Sequence, residues 1–184
     1  MTTKQLTTAF ALLGAPFLAI GVYVEVYVPA LGNSWWTGAW GLLYLTGWMA
    51  SLTALHRLRL AGTNRFGRGS VAAVLTVLAV ANVSNVWQLV APAYKPAFLW
   101  ALDMAWPLSN VLMLAVGVAV LRAGRLTGGA RWVPLAVGLW LPLSLALKTT
   151  LVGLHVSNLY SAVAWMLLAL VLRSKSPARA VALA

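Results

Sequence analysis

Apolar stretches of nearly bilayer length follow one another along the chain, and charged residues lie almost only between them. A membrane-spanning helix needs roughly 20 apolar residues. Of the 184 residues, 62% are hydrophobic and 8% are charged, whereas soluble domains carry about 25% charged residues. We therefore predict an all-α integral membrane protein and exclude a soluble enzyme or a disordered chain. A single domain of six transmembrane helices with short loops is expected, with spans at about 6–29, 36–56, 70–91, 97–121, 132–152 and 155–172.

Basic residues predict the orientation of this bundle, because Lys and Arg concentrate in cytoplasmic loops. Eleven of the 13 basic residues precede the first span or follow the second, fourth and sixth. The remaining two are Lys95, in an opposite loop, and Lys148, within the fifth span. Both termini are therefore expected to be cytoplasmic, in the cytoplasmic membrane of a bacterial cell. The eleven are Lys4, Arg57, Arg59, Arg65, Arg68, Arg122, Arg125, Arg131, Arg173, Lys175 and Arg179.

The net charge of +11 is explained by these loops and by their contact with anionic lipid headgroups. Membrane lipids are thus predicted partners and nucleic acid is not, since no basic segment interleaved with aromatic residues occurs. The chain has no cysteine, which excludes disulfides and thiolate metal sites. His56 and His155 lie at opposite ends of their spans and cannot share a haem or a metal ion. We expect no cofactor and no metal site.

Few ionisable groups lie within the spans. In hydrocarbon such a group is costly unless it faces the interior of the bundle, so each one is a candidate site residue. The two acids of the chain, Glu25 and Asp103, occupy the outer halves of their spans, as do Lys148 and His155. We predict that these groups converge near the extracytoplasmic end.

The segment around Asp103 is the most informative. Asp103 shares a helical face with Trp106, Pro107 and Asn110. Pro107 leaves one backbone carbonyl without its helical partner about one turn earlier, near Asp103. Neighbouring spans add further polar and aromatic side chains on inward faces. We therefore predict a pocket open to the extracytoplasmic side, with a ligand bound by Glu25, Asn85, Asp103, Trp106, Asn110, Trp140, Lys148, His155 and Asn158.

Each of these residues also has a structural interpretation. Asp103 and Lys148 would form a structural ion pair, or Lys148 would extend to the lipid headgroups. The asparagines would hydrogen-bond neighbouring helices, each bond contributing about 0.6 to 2 kcal/mol. Tryptophans at span ends, such as Trp35 and Trp132, are typical interface anchors.

The pattern favours a protein that binds or transports a small or amphipathic ligand, and we predict no catalytic residue. One alternative is an intramembrane enzyme for a lipid or polyprenyl substrate, with Asp103, Glu25 or His155 as acid and base. Another is a structural subunit whose small lipid-facing residues contact a second copy or a different membrane protein.

One short motif lies in the second span and comprises Trp40, Gly41, Leu42, Leu43, Tyr44, Leu45 and Gly47. This motif resembles part of the second helix of the tryptophan-rich TspO family, which binds porphyrins and lipophilic ligands. The resemblance covers this segment alone. The number of spans and the proline-rich approach to the helix in that family differ from the pattern here, so no site residue is transferred.

Overall fold

The computed structural model describes residues 3–175, with side chains from Leu6 onward. Arg179 and the side chain of Lys4 therefore lie outside the described residues. The described chain is helical and contains no strand, which confirms the all-α class. Two 3₁₀ turns, Pro29–Leu31 and Gly128–Trp132, join some of the helices. The α-helices are α1 (Thr3–Gly14), α2 (Phe17–Tyr27), α3 (Trp35–Arg57), α4 (Arg65–Val90), α5 (Phe98–Asp103), α6 (Ala105–Ala123), α7 (Val133–Gly138), α8 (Trp140–Leu147) and α9 (Leu151–Ser174).

Several helical segments of the described chain are long and apolar enough to cross a membrane. A bent pair, Gly128–Gly138 with Trp140–Leu147, adds one more if it forms a single span, which makes five. Helix α3 has 23 residues but lies outside this set, because its tryptophan, glycine and threonine residues lower its mean hydropathy. The four segments that qualify alone are Leu6–Tyr27, Arg65–Val90, Phe98–Ala123 and Leu151–Ser174.

Two helices break four residues before a proline. Helix α5 ends at Asp103, before Pro107, and α7 ends at Gly138, before Pro142. Proline has no N–H for the carbonyl four residues earlier, and its ring crowds that carbonyl. The disturbance near Asp103 was expected from Pro107. The predicted continuous span 132–152, in contrast, is a pair of helices bent by 54° that ends at residue 147.

The join between the last two spans also differs from the sequence prediction, in which the spans 132–152 and 155–172 leave only Gly153 and Leu154 between them. Helix α8 ends at Leu147 and α9 begins at Leu151. Thr150 caps α9, because its hydroxyl accepts a 3.0 Å hydrogen bond from the backbone N–H of Gly153 and so satisfies a free donor of the first turn. His155 consequently lies in the second turn of α9 and does not begin the helix.

Polarity is distributed as expected for a protein in lipid. Large apolar side chains face outward, among them Leu13 at 66%, Val90 at 78% and Val152 at 73% exposure. Lipid solvates such surfaces, whereas polar groups must find partners inside the bundle. The apolar exterior and uncharged polar interior agree with the membrane class. The buried polar side chains are Ser51, Ser84, Asn85, Ser109, Asn110, Ser157, Asn158 and Ser161.

Helices α1 and α3 cross at two glycines. A Cβ atom added to Gly14 would lie 2.6 Å from the carbonyl oxygen of Leu43 and 2.7 Å from the Cα atom of Gly47. Small residues at a crossing allow membrane helices to pack backbone to backbone. This crossing brings the following helix, α2, against the first half of α3.

We expect Gly14→Ala to lower the free energy of unfolding by about 1 to 3 kcal/mol, because the added methyl overpacks the crossing. Gly69→Ala is the matched control, since a Cβ atom there meets nothing within 4 Å. Its higher helix propensity should raise stability by about 0.5 to 1 kcal/mol. Reversible unfolding in mixed micelles, followed by tryptophan fluorescence, measures both. Equal destabilisation by the two variants would contradict the close crossing.

Candidate functional site

A cavity of about 430 Å³ lies at the end of the bundle where α4 ends and α5 begins. The first half of α3 and the second half of α4 form one side, and α5 with its preceding loop and the start of α6 forms the other. Its polar wall is Asn33, Thr37, Ser84, Asn85, Gln88, Lys95 and Asp103. Its aromatic wall is Trp40, Tyr44, Trp100 and Trp106.

One carboxylate and one ammonium group line this cavity. Asp103 is the last residue of α5 and is exposed, and Lys95 is exposed in the loop before α5. The Lys95 Nζ donates a hydrogen bond to Oδ1 of Asn33. Within the described residues neither charge forms an ion pair within 4.0 Å, so the charge of each remains available to a third partner. The site is therefore dipolar rather than strongly charged.

The aromatic wall continues into the core of the bundle. Tyr44 and Trp106 meet edge to face with ring centroids 6.5 Å apart. Trp106 stacks on Trp140 at 5.2 Å, while Tyr44 contacts Trp48 and Trp48 lies 4.2 Å from Trp165. Rings from α3, α6, α8 and α9 thus form one connected row, which fixes the inner wall of the cavity.

A hydrogen bond between Tyr44 and Ser161 joins the cavity wall to the last helix. The Tyr44 Oη and Ser161 Oγ atoms lie 2.6 Å apart, and both residues are buried. A buried hydroxyl without a partner is expensive. This hydrogen bond therefore helps to fix the position of α3 along the axis of α9.

Glu25 lies behind the wall and does not line the cavity. Its Oε1 accepts a 2.6 Å hydrogen bond from the Thr37 hydroxyl and a 2.9 Å bond from the Trp40 indole N–H. Both donors line the cavity. Glu25 and Asp103 thus approach the same hollow, but Glu25 acts on it through the two wall residues that it orients.

Asn85 enters the wall between α3 and α4. Its Nδ2 donates a 3.1 Å hydrogen bond to Oδ1 of Asn82, and the Nδ2 of Asn82 lies 3.6 Å from the sulfur of Met49. The Asn85 amide also lies directly against Gly41, where a Cβ atom would collide with Oδ1. The Asn85 amide can occupy this position only because residue 41 has no side chain.

Three predicted site residues lie in the interior beyond the cavity. Trp140 packs against the far side of Trp106, and the Asn110 amide donates a 3.1 Å hydrogen bond to the Trp106 carbonyl. Asn158 is buried in α9. The Asn110 Oδ1, the Asn158 Nδ2 and the indole nitrogens of Trp106 and Trp140 have no hydrogen-bond partner among the described residues. These atoms can still bond, which gives the region behind the wall a polar character.

Two further predicted residues lie away from the cavity. Lys148 is exposed in the join between α8 and α9, and in the described part of the chain it forms no ion pair with Asp103 within 4.0 Å. The His155 ring stacks on Tyr27 at 5.9 Å and lies 5.6 Å from Tyr23. His155 therefore belongs to the contact between α2 and α9.

Of the nine predicted residues, the cavity thus brings together Asn85, Asp103 and Trp106. Sequence reasoning assigned Lys95 only to a loop and overlooked Thr37 and Trp100. A usable signal existed for Lys95, since it is the only basic residue in the loops that the sequence assigns to the outer side. No comparable signal marks Trp100, because a tryptophan at a span end is normally an interface anchor.

No protein-family model matches the chain, no curated protein matches it, and no solved structure matches it. The candidate site is thus described by its own geometry. Four residues of the segment that resembles the TspO family, Trp40, Gly41, Tyr44 and Leu45, line the cavity.

We expect Thr37→Val to lower the free energy of unfolding by about 1 to 3 kcal/mol, because it removes a donor to a carboxylate. Thr46→Val is the matched control on the exposed side of the same helix and should change stability by less than about 0.5 kcal/mol. Unfolding in mixed micelles measures both variants. If Thr37→Val costs as much in a Glu25→Ala background as in the wild type, the two residues are not coupled.

Proposed function

We propose that this chain is a six-span protein of a bacterial cytoplasmic membrane that binds a small or amphipathic ligand in the cavity between α3, α4, α5 and α6. One observation carries the proposal: a carboxylate, an ammonium group, amides and aromatic rings line a single hollow at one end of an apolar bundle. Transport of the ligand is a natural extension, since the polar interior continues behind the wall.

The position of α3 supports six spans. Its 23 residues extend about 34 Å at 1.5 Å per residue, enough for the hydrocarbon core. Ten of its residues are buried, and it packs against α1, α2, α4 and α9. A membrane helix that contacts mostly protein can carry more polar and small residues than one that faces lipid.

The absence of cysteine from the sequence permits a direct test of whether α3 crosses. Ala30→Cys and Thr63→Cys flank α3 at exposed positions. We expect a membrane-impermeant maleimide to label Ala30→Cys from outside intact cells and Thr63→Cys only after permeabilisation. Gly129→Cys, between the fourth and fifth predicted spans, should behave like Thr63→Cys. Labelling of Ala30→Cys and Thr63→Cys from the same side would rule out a crossing by α3.

The basic residues support an extracytoplasmic opening of the cavity and cytoplasmic termini. The end opposite the cavity carries Arg57, Arg59, Arg65 and Arg68, and Arg122 lies over the ring of Phe66 there. Such residues concentrate on the cytoplasmic side.

The chemistry of the wall supports a ligand with one polar group and an apolar body. A volume of about 430 Å³ falls within the usual range of roughly 300 to 1,000 Å³ for small-molecule sites. Asp103 would accept a cation or a hydroxyl group, and Lys95 would take the counter-charge role that the sequence suggested for Lys148. Trp100 lines the cavity and is 70% exposed, so it lies at the rim, where an apolar body can enter from the lipid.

An intramembrane enzyme has weaker support from this geometry. Acid and base catalysis requires two titratable groups near one substrate. Glu25 is held behind the wall by Thr37 and Trp40, and His155 stacks on Tyr27 away from the cavity. Asp103 therefore has neither Glu25 nor His155 beside it in the cavity to serve as a second catalytic group.

We expect Asp103→Asn to weaken ligand binding at least about tenfold, a loss of about 1.4 kcal/mol, with an unchanged folded yield. Hexyltrimethylammonium, hexanol and hexanoate are suitable probes, since they share one apolar body and differ in charge. A saturable change in tryptophan emission in nanodiscs measures their binding, because Trp100 and Trp106 line the cavity and a bound ligand changes the polarity around them. The cationic probe should lose most in Asp103→Asn, because it is the probe that pairs with the carboxylate.

Lys148→Gln is the control, since Lys148 is charged and exposed but does not line the cavity. It should leave the affinity within about twofold, or 0.4 kcal/mol. Failure of all three probes to bind saturably, or equal losses in the two variants, would refute the proposed site. If Asp103→Asn lowers the folded yield as much as it lowers ligand binding, the carboxylate has a structural role.

A further inference from the structure

A second cavity, of about 460 Å³, lies at the opposite end of the bundle, between the end of α3 and the start of α4. Its lining includes His56, Arg57, Arg59 and Arg68, all of which are exposed at its mouth. Three arginines and a histidine thus line one hollow. No carboxylate is part of its wall.

The arginines of this cavity have no partner within the described residues. The sequence contains two acids, Glu25 and Asp103, and both lie near the other end of the bundle. Two arginines outside the cavity, in contrast, lie over aromatic rings: Arg122 at 5.8 Å from the ring of Phe66, and Arg131 at 5.4 Å from the ring of Trp132. The cavity arginines repel one another and remain free to bind an anion.

The backbone adds an independent observation at Arg59, which has φ of +54°. This left-handed conformation is unfavourable for a residue with a Cβ atom. The turn is nevertheless closed, since the Arg59 N–H donates to the His56 carbonyl at 2.9 Å and the Gly62 N–H donates to the Arg59 carbonyl at 3.0 Å. The backbone conformation alone would favour glycine at this position. The presence of an arginine is therefore consistent with a role for its guanidinium group in the cavity.

We propose that this basic cavity binds a phosphate group, either the headgroup of an anionic phospholipid or a soluble phosphate ester. The planar guanidinium group matches phosphate oxygens with two parallel hydrogen bonds. The cavity lies where α3 ends and α4 begins, at the depth of the headgroups if both helices span. This site and its ligand are independent of the ligand cavity at the other end.

Nanodiscs provide the test with full-length protein. The protein is placed in phosphatidylcholine discs, and phosphatidylglycerol is raised from none to a fifth of the lipid, or glycerol phosphate is added to pure phosphatidylcholine discs. Native mass spectrometry counts the retained phosphatidylglycerol, and tryptophan fluorescence reports the thermal transition. We expect saturable binding in at least one arm, weakened roughly fivefold by each of Arg57→Gln, Arg59→Gln and Arg68→Gln.

Arg125→Gln is the matched control, because it removes the same charge from an exposed arginine at this end that does not line the cavity. It should weaken binding less than about twofold. Arg59→Gly guards against misfolding, since glycine tolerates the left-handed turn: it should retain or raise the thermal transition in phosphatidylcholine and still lose binding.

Each outcome of these measurements either supports or overturns the proposed phosphate site. Binding of phosphatidylglycerol alone identifies a lipid headgroup site, and binding of glycerol phosphate with the same dependence on the arginines identifies a soluble ester. Both support recognition of a phosphate group. Equal losses in Arg125→Gln and the cavity variants would reduce the effect to diffuse surface charge and overturn the site. The absence of saturable binding in both arms would overturn it as well.

Discussion

Close backbone contact along α3 is the constraint on which the rest of the structure depends. Gly47 meets Gly14 of α1, and Gly41 makes room for the amide of Asn85 from α4. A side chain at position 47 would push the backbone of α1 outward, and one at position 41 would displace the Asn85 amide. Helix α2 follows α1, so a displaced α1 would also carry Glu25 away from Thr37 and Trp40. The cavity wall therefore depends on two different faces of α3 that lack side chains at their contact points.

Because the interior of a bilayer contains no water, the polar groups of this protein divide into those that bond within the fold and those that face the cavity. Inside lipid, a polar atom must find its partner within the protein. Glu25 has two donors on one oxygen, and Tyr44 has Ser161, so both are satisfied by the fold itself. Asp103 lines a hollow without an ion pair among the described residues. Groups bonded within the fold contribute to its stability, whereas the Asp103 carboxylate is accessible from the cavity.

Sequence periodicity predicted the helical class, the shared face of Asp103 and Trp106, and the disturbance caused by Pro107, because these are local properties of a helix. It failed for Lys148, which was assigned a depth by counting along an unbroken helix. Helix α8 ends at Leu147 after a bend of 54°, so Lys148 lies in a join and Lys95 is the ammonium group at the cavity. Glu25 was ambiguous for another reason: an inward carboxylate can bind a ligand or a neighbour, and only the tertiary contacts decide.

The two sides of the cavity between α3, α4, α5 and α6 differ in construction, and under the proposed function this difference determines which side would discriminate between ligands. The side formed by α3 and α4 is fixed by glycine contacts and by the row of rings that leads to Trp165. The other side is largely a six-residue helix, α5, interrupted at Asp103 by Pro107 and preceded by a loop. Lys95, Trp100 and Asp103 all come from this short segment. Both charged residues of the cavity and its exposed rim ring thus belong to one short segment of the chain, residues 95–103. Under the proposed function, changes within this segment would alter charge preference and access together while the rest of the bundle stays in place.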